Sequence, residues 1–363
     1  MATKFRTVIG ILKDKASLIK ATLSITNRHT SATRVAVQRA TTHDTSSPPS
    51  ERRVSAVLGS EGSRRASCAC IEALMDRLNA TRSAAVALKC LVVAHNIVSR
   101  GSFILRDQLS IYPSSGGHNF LNLSTFHDKS DTATWKLSSW VRWYAAVVEQ
   151  NLVVSRVVGY YFSNEVSNLG NFKIRRDREE KLLALLTSEM LSEVEALVGF
   201  VEITRDAPDS WTELQKNDLV YKVVRLVGED YKLVQYELTL RMKEIGERTK
   251  GTSYDELTRL QSELKRLEDC KERLMSLFLV KKRDSDFWDL IDQVKMKVEE
   301  TIMERENQKL VRFGERQFFH EKNESSRFWN NNPFIESEDE LYRLRSSTGG
   351  WSSNLALMPA LSV

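Results

Sequence analysis

Breakers and long apolar runs are what this 363-residue chain has least of: six prolines, fifteen glycines and only four cysteines. Few breakers, aromatics at 8% and rare strand-type alternation suit helices far better than sheets or disorder. Cys68, Cys70, Cys90 and Cys270 form no C-x-x-C pair and have no histidines at zinc-ligand spacing, so they read as reduced core thiols, with no metal site and no disulfide framework. The most apolar run, Ala84 to Val98, is interrupted by Lys89 and His95 and is too short to span a bilayer. The opening Met-Ala-Thr-Lys-Phe-Arg lacks the apolar core of a signal peptide. These absences predict a soluble, cytosolic protein that meets membranes only peripherally.

Catalytic signatures are missing too. There is no G-x-x-x-x-G-K-[ST] loop, no H-E-x-x-H and no G-x-S-x-G, and His29, His95, His118, His127 and His320 show no convergent spacing. The Asp and Glu pairs read as solvated helix faces. The expectation is a protein that is not an enzyme, with no catalytic residues and no cofactor.

What the chain does have is helical periodicity from end to end. Val8, Ile9, Ile11, Leu12 and Ile19 mark a first helix and Val35, Val37 and Ala40 a second, which Ser46-Ser47-Pro48-Pro49-Ser50 stops. Helices follow from about Glu51, over Arg64 to Asn79, and from Thr81 to Arg100; after a loop at Pro113 to Gly117, a long one runs from Thr134 to Phe162 with Trp140, Val141, Tyr144 and Val148 on its buried face. Beyond a basic loop at Lys173 to Arg178, the pattern predicts helices over Glu179 to Thr204, Ser210 to Lys250 with a break near Gly228, Ser253 to Leu279, and Ser285 to Phe319. Leu257, Leu260, Leu264, Leu267 and Leu274 keep 3/4 spacing too briefly for a coiled coil, so they are expected to pack within the chain. From Asn323 onward the composition is that of a disordered tail.

Charge is unevenly spread. The whole chain carries +5, yet residues 1–65 hold twelve Lys and Arg against four acids, a local +8 that leaves the remainder near −3. One end of the molecule is therefore expected to meet an anionic surface, lipid headgroups or nucleic acid. Aromatic side chains are not interleaved with the basic ones, which argues against nucleic acid.

Four blocks narrow this: R-A-T-T-H-D at Arg39 to Asp44 followed by P-P-S-E-R-R-V, then A-V-A-L-K-C-L-V-V-A-H at Ala85 to His95, N-F-L-N-L-S-T-F-H-D-K-S at Asn119 to Ser130, and S-S-W-V-R-W-Y-A-A-V-V-E at Ser138 to Glu149. Together with Lys4-Phe5-Arg6 they resemble the ANTH domain of clathrin assembly proteins, plant members most of all. The resemblance implies an all-α protein, a right-handed helical solenoid of the ENTH/ANTH/VHS type extended by a long-helix C-terminal stalk. Its expected parts are a phosphoinositide-binding solenoid over 4–160, a helical extension over 179–320 and a disordered tail over 323–363.

The same resemblance implies a site for phosphatidylinositol bisphosphate. The family carries a lysine just before A-T-x-H and, about ten residues later, a Lys-x-Lys-His cluster. Here Arg39 takes the first place, His43 adjoins it, and the cluster falls on Ser50-Glu51-Arg52-Arg53. Ser50 lacks the charge expected there, while Arg52 and Arg53 keep it, with guanidinium forks that grip phosphate bidentately. The expected headgroup ligands are Arg39, His43, Arg52 and Arg53, supported by Lys4, Arg6, Lys13 and Arg34. The A-L-K-C-L-V-V-A-H stretch, Lys89 included, reads as core.

In the tail, Asn332-Pro333-Phe334 resembles the N-P-F motif that EH domains bind. Asp289-Leu290-Ile291 resembles a D-L-L clathrin motif, but its spacing with Phe287 and Val294 favours packing. The function implied is a clathrin-coat accessory adaptor of endocytosis and vesicle traffic, placed at coated pits and vesicles or the Golgi. Its implied partners are a phosphoinositide membrane, clathrin heavy chain, adaptor complexes, a vesicle SNARE and EH-domain proteins. The alternative is a helical scaffold of the same superfold that has lost clathrin engagement.

Overall fold

The computed structural model describes residues 2–23, 28–59, 64–112, 121, 123–161, 172–209, 217–278 and 285–325. The described residues contain helices and no strand: α1 (Ala2–Leu23), α2 (Arg28–Ala40), α3 (Glu51–Leu58), α4 (Arg64–Ala80), α5 (Ala84–Arg100), α6 (Phe103–Ser110), α7 (Thr132–Val158), α8 (Phe172–Leu183), α9 (Thr187–Arg205), α10 (Asp218–Arg248), α11 (Tyr254–Glu268), α12 (Lys271–Phe278) and α13 (Ser285–Ser325). Neighbours stack in sequence, α1 on α2, α2 on α4, α5 on α7, α7 on α9, and α9 on α10 and α11, which makes an all-α solenoid. Residues 1–306 form one compact unit.

Helix α5 is the axis of the core. Every side chain from Ala84 to Ser99 is buried, as befits a helix apolar on all faces, and each full-size aliphatic there contributes roughly 1.5–3 kcal/mol. Its start is held from a distance: the Ala84 N–H donates to Oδ2 of the buried Asp128 at 2.9 Å, and the Asp128 N–H donates to Ser138 Oγ at 2.8 Å. The F-H-D-K-S segment thus works as a cap for α5. A capping box between Asp131 and Thr134 starts α7, and Gly159, at φ +83°, stops it in the left-handed region that glycine tolerates best. Trp140, Val141, Tyr144 and Val148 are all buried, as their spacing predicts.

Several predicted boundaries move. The basic residues 173–178 lie in α8 rather than in a loop, and the helix predicted from Glu179 to Thr204 is broken at 184–186. Arg248 holds that break open, donating to the carbonyls of Leu185 at 2.6 Å and Leu183 at 3.0 Å, which a continuous helix would have used itself. No break occurs at Gly228; α10 runs straight through it, and a Cβ there would stand 3.2 Å from the Phe278 ring, which stacks on Tyr231. The glycine makes room for a ring. A short α6, absent from the sequence reading, is capped by Ser102. The segment 253–279 divides into α11 and α12.

Leu257, Leu260, Leu264, Leu267 and Leu274 are buried within the chain. So is Ile291, and Leu290 packs partly buried against the core. Not every carboxylate is solvated, contrary to expectation. Arg241, itself buried, binds Glu193 at 2.5 Å and Glu237 at 2.7 Å, and buried Asp230 accepts from Asn151 at 2.5 Å with His95 3.3 Å away. These pairs join α9 to α10, and α5 and α7 to α10. The four cysteines are free thiols.

Candidate functional site

The turn from Thr41 to Ser50 links α2 to α3, and the fold fixes it from three sides. Thr41 is buried, and Arg77 of α4 donates to its Oγ1 at 3.1 Å and its carbonyl at 2.8 Å. Asp14 of α1 accepts from the His43 N–H at 3.0 Å and pairs with His43 Nδ1 at 2.6 Å, with Arg77 3.6 Å away. Further along, Asp44 takes the Ser46 N–H and the Ser46 and Ser47 hydroxyls. The third side comes from α10: its cap residue Asn217 donates to the Thr45 carbonyl at 3.1 Å, and the Leu219 N–H donates to the Ser46 carbonyl at 2.9 Å.

This places the sequence-predicted residues as follows. Arg39 is exposed in the last turn of α2, and Arg52 and Arg53 are exposed in the first turn of α3. Ser50 occupies the N-cap of α3 without a side-chain cap; its carbonyl takes the Arg53 and Val54 N–H groups at 2.9 and 3.0 Å, and two guanidiniums stand in this first turn. Cations at a helix N-terminus oppose its dipole, whereas an anion placed there satisfies both. Glu51, the one acid in the cluster, is engaged by Arg100 of α5, and that bond holds its carboxyl below the ordinary range. His43 is half-buried, and its Nδ1 is taken by Asp14, so it serves the turn as a tether whatever else it touches. Lys13 and Arg34 are exposed on α1 and α2; Lys4 and Arg6 lie in α1 with side chains outside the described residues, and Asn332, Pro333 and Phe334 lie outside them entirely.

Two further cations belong here that the sequence hid. Lys89 reads as core and is indeed buried, but its Nζ points to the turn and donates to Thr42 Oγ1 at 3.0 Å. Burial pulls its pKa down to about 8, the carboxylates of Asp44 and Asp14 work against that, and Arg53 is close enough to add to the depression. Lys222 of α10 stands within the electrostatic reach of Glu51 and Arg100 and is likewise lowered, by burial first and then by Arg225. Neither could be placed here from the sequence, because the first sits inside an apolar run and the second lies 170 residues beyond the turn.

Among the described residues no helix is long and apolar enough to cross a membrane, and no three His, Cys, Asp or Glu side chains converge as a metal site would need. The fold is that of an all-helical solenoid. The chain belongs to the ANTH-domain family: residues 32–282 match the ANTH domain. It is 42% identical over 299 residues to the "Putative clathrin assembly protein At4g40080" of Arabidopsis thaliana, covering 81% of this chain and 80% of that one. It is 31% identical over 300 residues to the "Putative clathrin assembly protein At5g10410" of the same plant, covering 80% and 85%. A longer relative, the Arabidopsis "Putative clathrin assembly protein At4g25940", is 30% identical over 253 residues, which are 67% of this chain and 39% of that one. The family is one of non-enzymatic adaptors, and the chain is not an enzyme.

Proposed function

We propose that this protein is a clathrin-assembly adaptor that docks peripherally on phosphoinositide-bearing membranes through the tip formed by Arg39, Arg52 and Arg53. The observation that carries the reading is the start of α3, where two exposed arginines stand at a helix N-terminus that no side chain caps, while the neighbouring acid is occupied by Arg100. A bisphosphorylated headgroup needs donors converging from two places, and the end of α2 and the start of α3 supply them. Each cation near an anionic bilayer contributes on the order of 1 kcal/mol, so binding is useful and salt-sensitive. His43 holds the turn, and Lys13 and Arg34, with Lys4 and Arg6, extend the field.

The names of its relatives support the coat role. In this reading residues 4–160 carry the lipid contact, 179–320 extend the solenoid and offer a face to a vesicle SNARE, and 323–363 present Asn332-Pro333-Phe334 to EH-domain partners, with adaptor complexes and clathrin heavy chain as coat partners at pits, vesicles or the Golgi. Two assays test it. Vesicles with phosphatidylinositol bisphosphate should pellet the wild type and neutral vesicles should not, and immobilised protein should retain clathrin in a manner weakened by removing residues 323–363. Equal pelleting on neutral vesicles contradicts the lipid role; absent clathrin retention contradicts the coat role.

A further inference from the structure

Arg52 and Arg53 carry a second signal, one that lipid contact does not use. With Val54 and Ser55 they read R-R-V-S, two arginines three and two residues ahead of a serine, and Arg64-Arg65-Ala66-Ser67 repeats the pattern at the start of α4. Protein kinases that select basic substrates grip such arginines with acidic side chains and so set the serine hydroxyl against the γ-phosphate of ATP. The fold separates the two copies. Ser67 is 2% exposed and faces the core, out of an enzyme's reach while the chain is folded, whereas Ser55 is exposed on α3 with both of its arginines exposed. A kinase takes its substrate extended, and α3 is suited to open: it has eight residues, no side-chain cap at Ser50, and only Val54 and Val57 buried. Helices so short are marginal by themselves, and segments with few buried side chains are the ones that open locally.

We propose that Ser55 is a phosphorylation site for an arginine-directed kinase and that its phosphate releases the tip from the membrane. The site rests on α3 alone; the release rests on the lipid reading above. In the modification Ser55 Oγ attacks the γ-phosphorus of ATP, the bond to the β-phosphate oxygen breaks, ADP leaves, and the hydroxyl proton passes to the kinase's base. Ser55 lies three residues after Arg52 and four after Glu51, the spacings that share a helix face. Glu51 is engaged by Arg100, and Lys222 and Arg225 stand within its electrostatic reach, Arg225 also lying 3.3 Å from Glu229. On this side four cations, Arg52, Arg100, Lys222 and Arg225, thus meet two acids, Glu51 and Glu229. A phosphoserine of about −1.5 to −2 cancels that surplus and gives Arg52 a partner within its own helix, so the guanidinium offered to lipid is bonded to the protein instead. The added negative charge is also repelled by an anionic bilayer.

The experiment incubates the folded full chain with ATP and the catalytic subunit of cyclic-AMP-dependent kinase and maps the phosphate by mass spectrometry, since other serines such as Ser346 also follow arginines. The expected result is phosphate on Ser55 and none on Ser67, lost from that peptide in Ser55→Ala and unchanged in Ser67→Ala. A synthetic peptide of residues 50–58 serves as the unstructured control. Phosphate on the peptide but not on Ser55 of the folded chain would show that α3 shields it, and overturns the site; so does a peptide that is not a substrate. Vesicle pelleting then tests the release. Phosphorylated wild type should bind phosphatidylinositol bisphosphate vesicles at least tenfold more weakly than unmodified protein, and Ser55→Ala treated with the same kinase should bind as the untreated protein does. Equal binding of phosphorylated and unmodified wild type overturns the release. Unmodified protein that fails to pellet overturns the lipid reading, and the release with it, while phosphate mapped to Ser55 still establishes the site.

Discussion

Asp14 and His43 are 29 residues apart, and both oxygens of the one carboxylate are spent on the other residue, one on its backbone N–H and one on its ring. Through this pair α1 is moored to the turn between α2 and α3. Gly10 permits the approach, since a Cβ there would lie 3.1 Å from that of His43.

Asp14→Ala leaves the half-buried His43 N–H without its acceptor, at a cost of about 1–3 kcal/mol. The loss also has a pH signature. Burial alone would raise the Asp14 carboxyl, but the bonds from His43 and the charges of His43 and Arg77 outweigh it and hold the carboxyl below its ordinary value. A depressed folded pKa means that this stabilisation is complete above about pH 4, the unfolded value, and is lost as pH falls through the folded one. Urea denaturation from pH 6 to pH 2 should show wild type losing its advantage over Asp14→Ala in that acid range; a constant difference contradicts the pairing.

Lys89 sets stability against binding. Its folded pKa of about 8 lies below the unfolded value near 10.4, so the unfolded chain holds a proton longer, and stability rises with pH between the two. Lys89→Met should remove that rise and raise stability at pH 7 by on the order of 2 to 3 kcal/mol. It should also weaken bisphosphate-vesicle binding by roughly fivefold, one cation's worth. Thermal melts at pH 7 and pH 10, with vesicle titrations at each, check both; unchanged binding would remove Lys89 from the site.

Arg241 is buried between two buried carboxylates. Arg241→Met strands the buried Glu193 without its counter-ion and leaves Glu237 with Arg178 alone, which pairs with it at 2.9 Å, and this should cost about 3–5 kcal/mol in urea unfolding. Converting both acids to glutamine in the same background should recover part of it. A change under about 1 kcal/mol contradicts the network.

Gly228→Val should destabilise by about 1–3 kcal/mol, because the branched side chain meets the Phe278 ring where even a Cβ is tight. Helix propensity alone predicts at most a small gain over glycine. The two expectations differ in sign, so a single denaturation curve decides between them.

The all-helical class was legible because 3.6-residue periodicity is written locally, as in the Trp140 to Val148 stripe, and Arg39, Arg52 and Arg53 could be named as candidates because their motif lies in one short stretch. What was not legible depended on residues distant in sequence. The break at 184–186 needs Arg248 to take its carbonyls, the continuity of α10 needs Phe278 over Gly228, and the occupation of Glu51 needs Arg100. Lys89 was hidden by its own burial, since an apolar run with one lysine does not reveal which way the Nζ points.

The most direct test of the tip is the affinity for phosphatidylinositol bisphosphate vesicles of wild type against Arg52→Ala/Arg53→Ala at 0.1 M salt. Removing two cations at roughly 1 kcal/mol each predicts about a thirtyfold loss that shrinks as salt rises. Equal affinities for the two proteins at low salt would contradict the account.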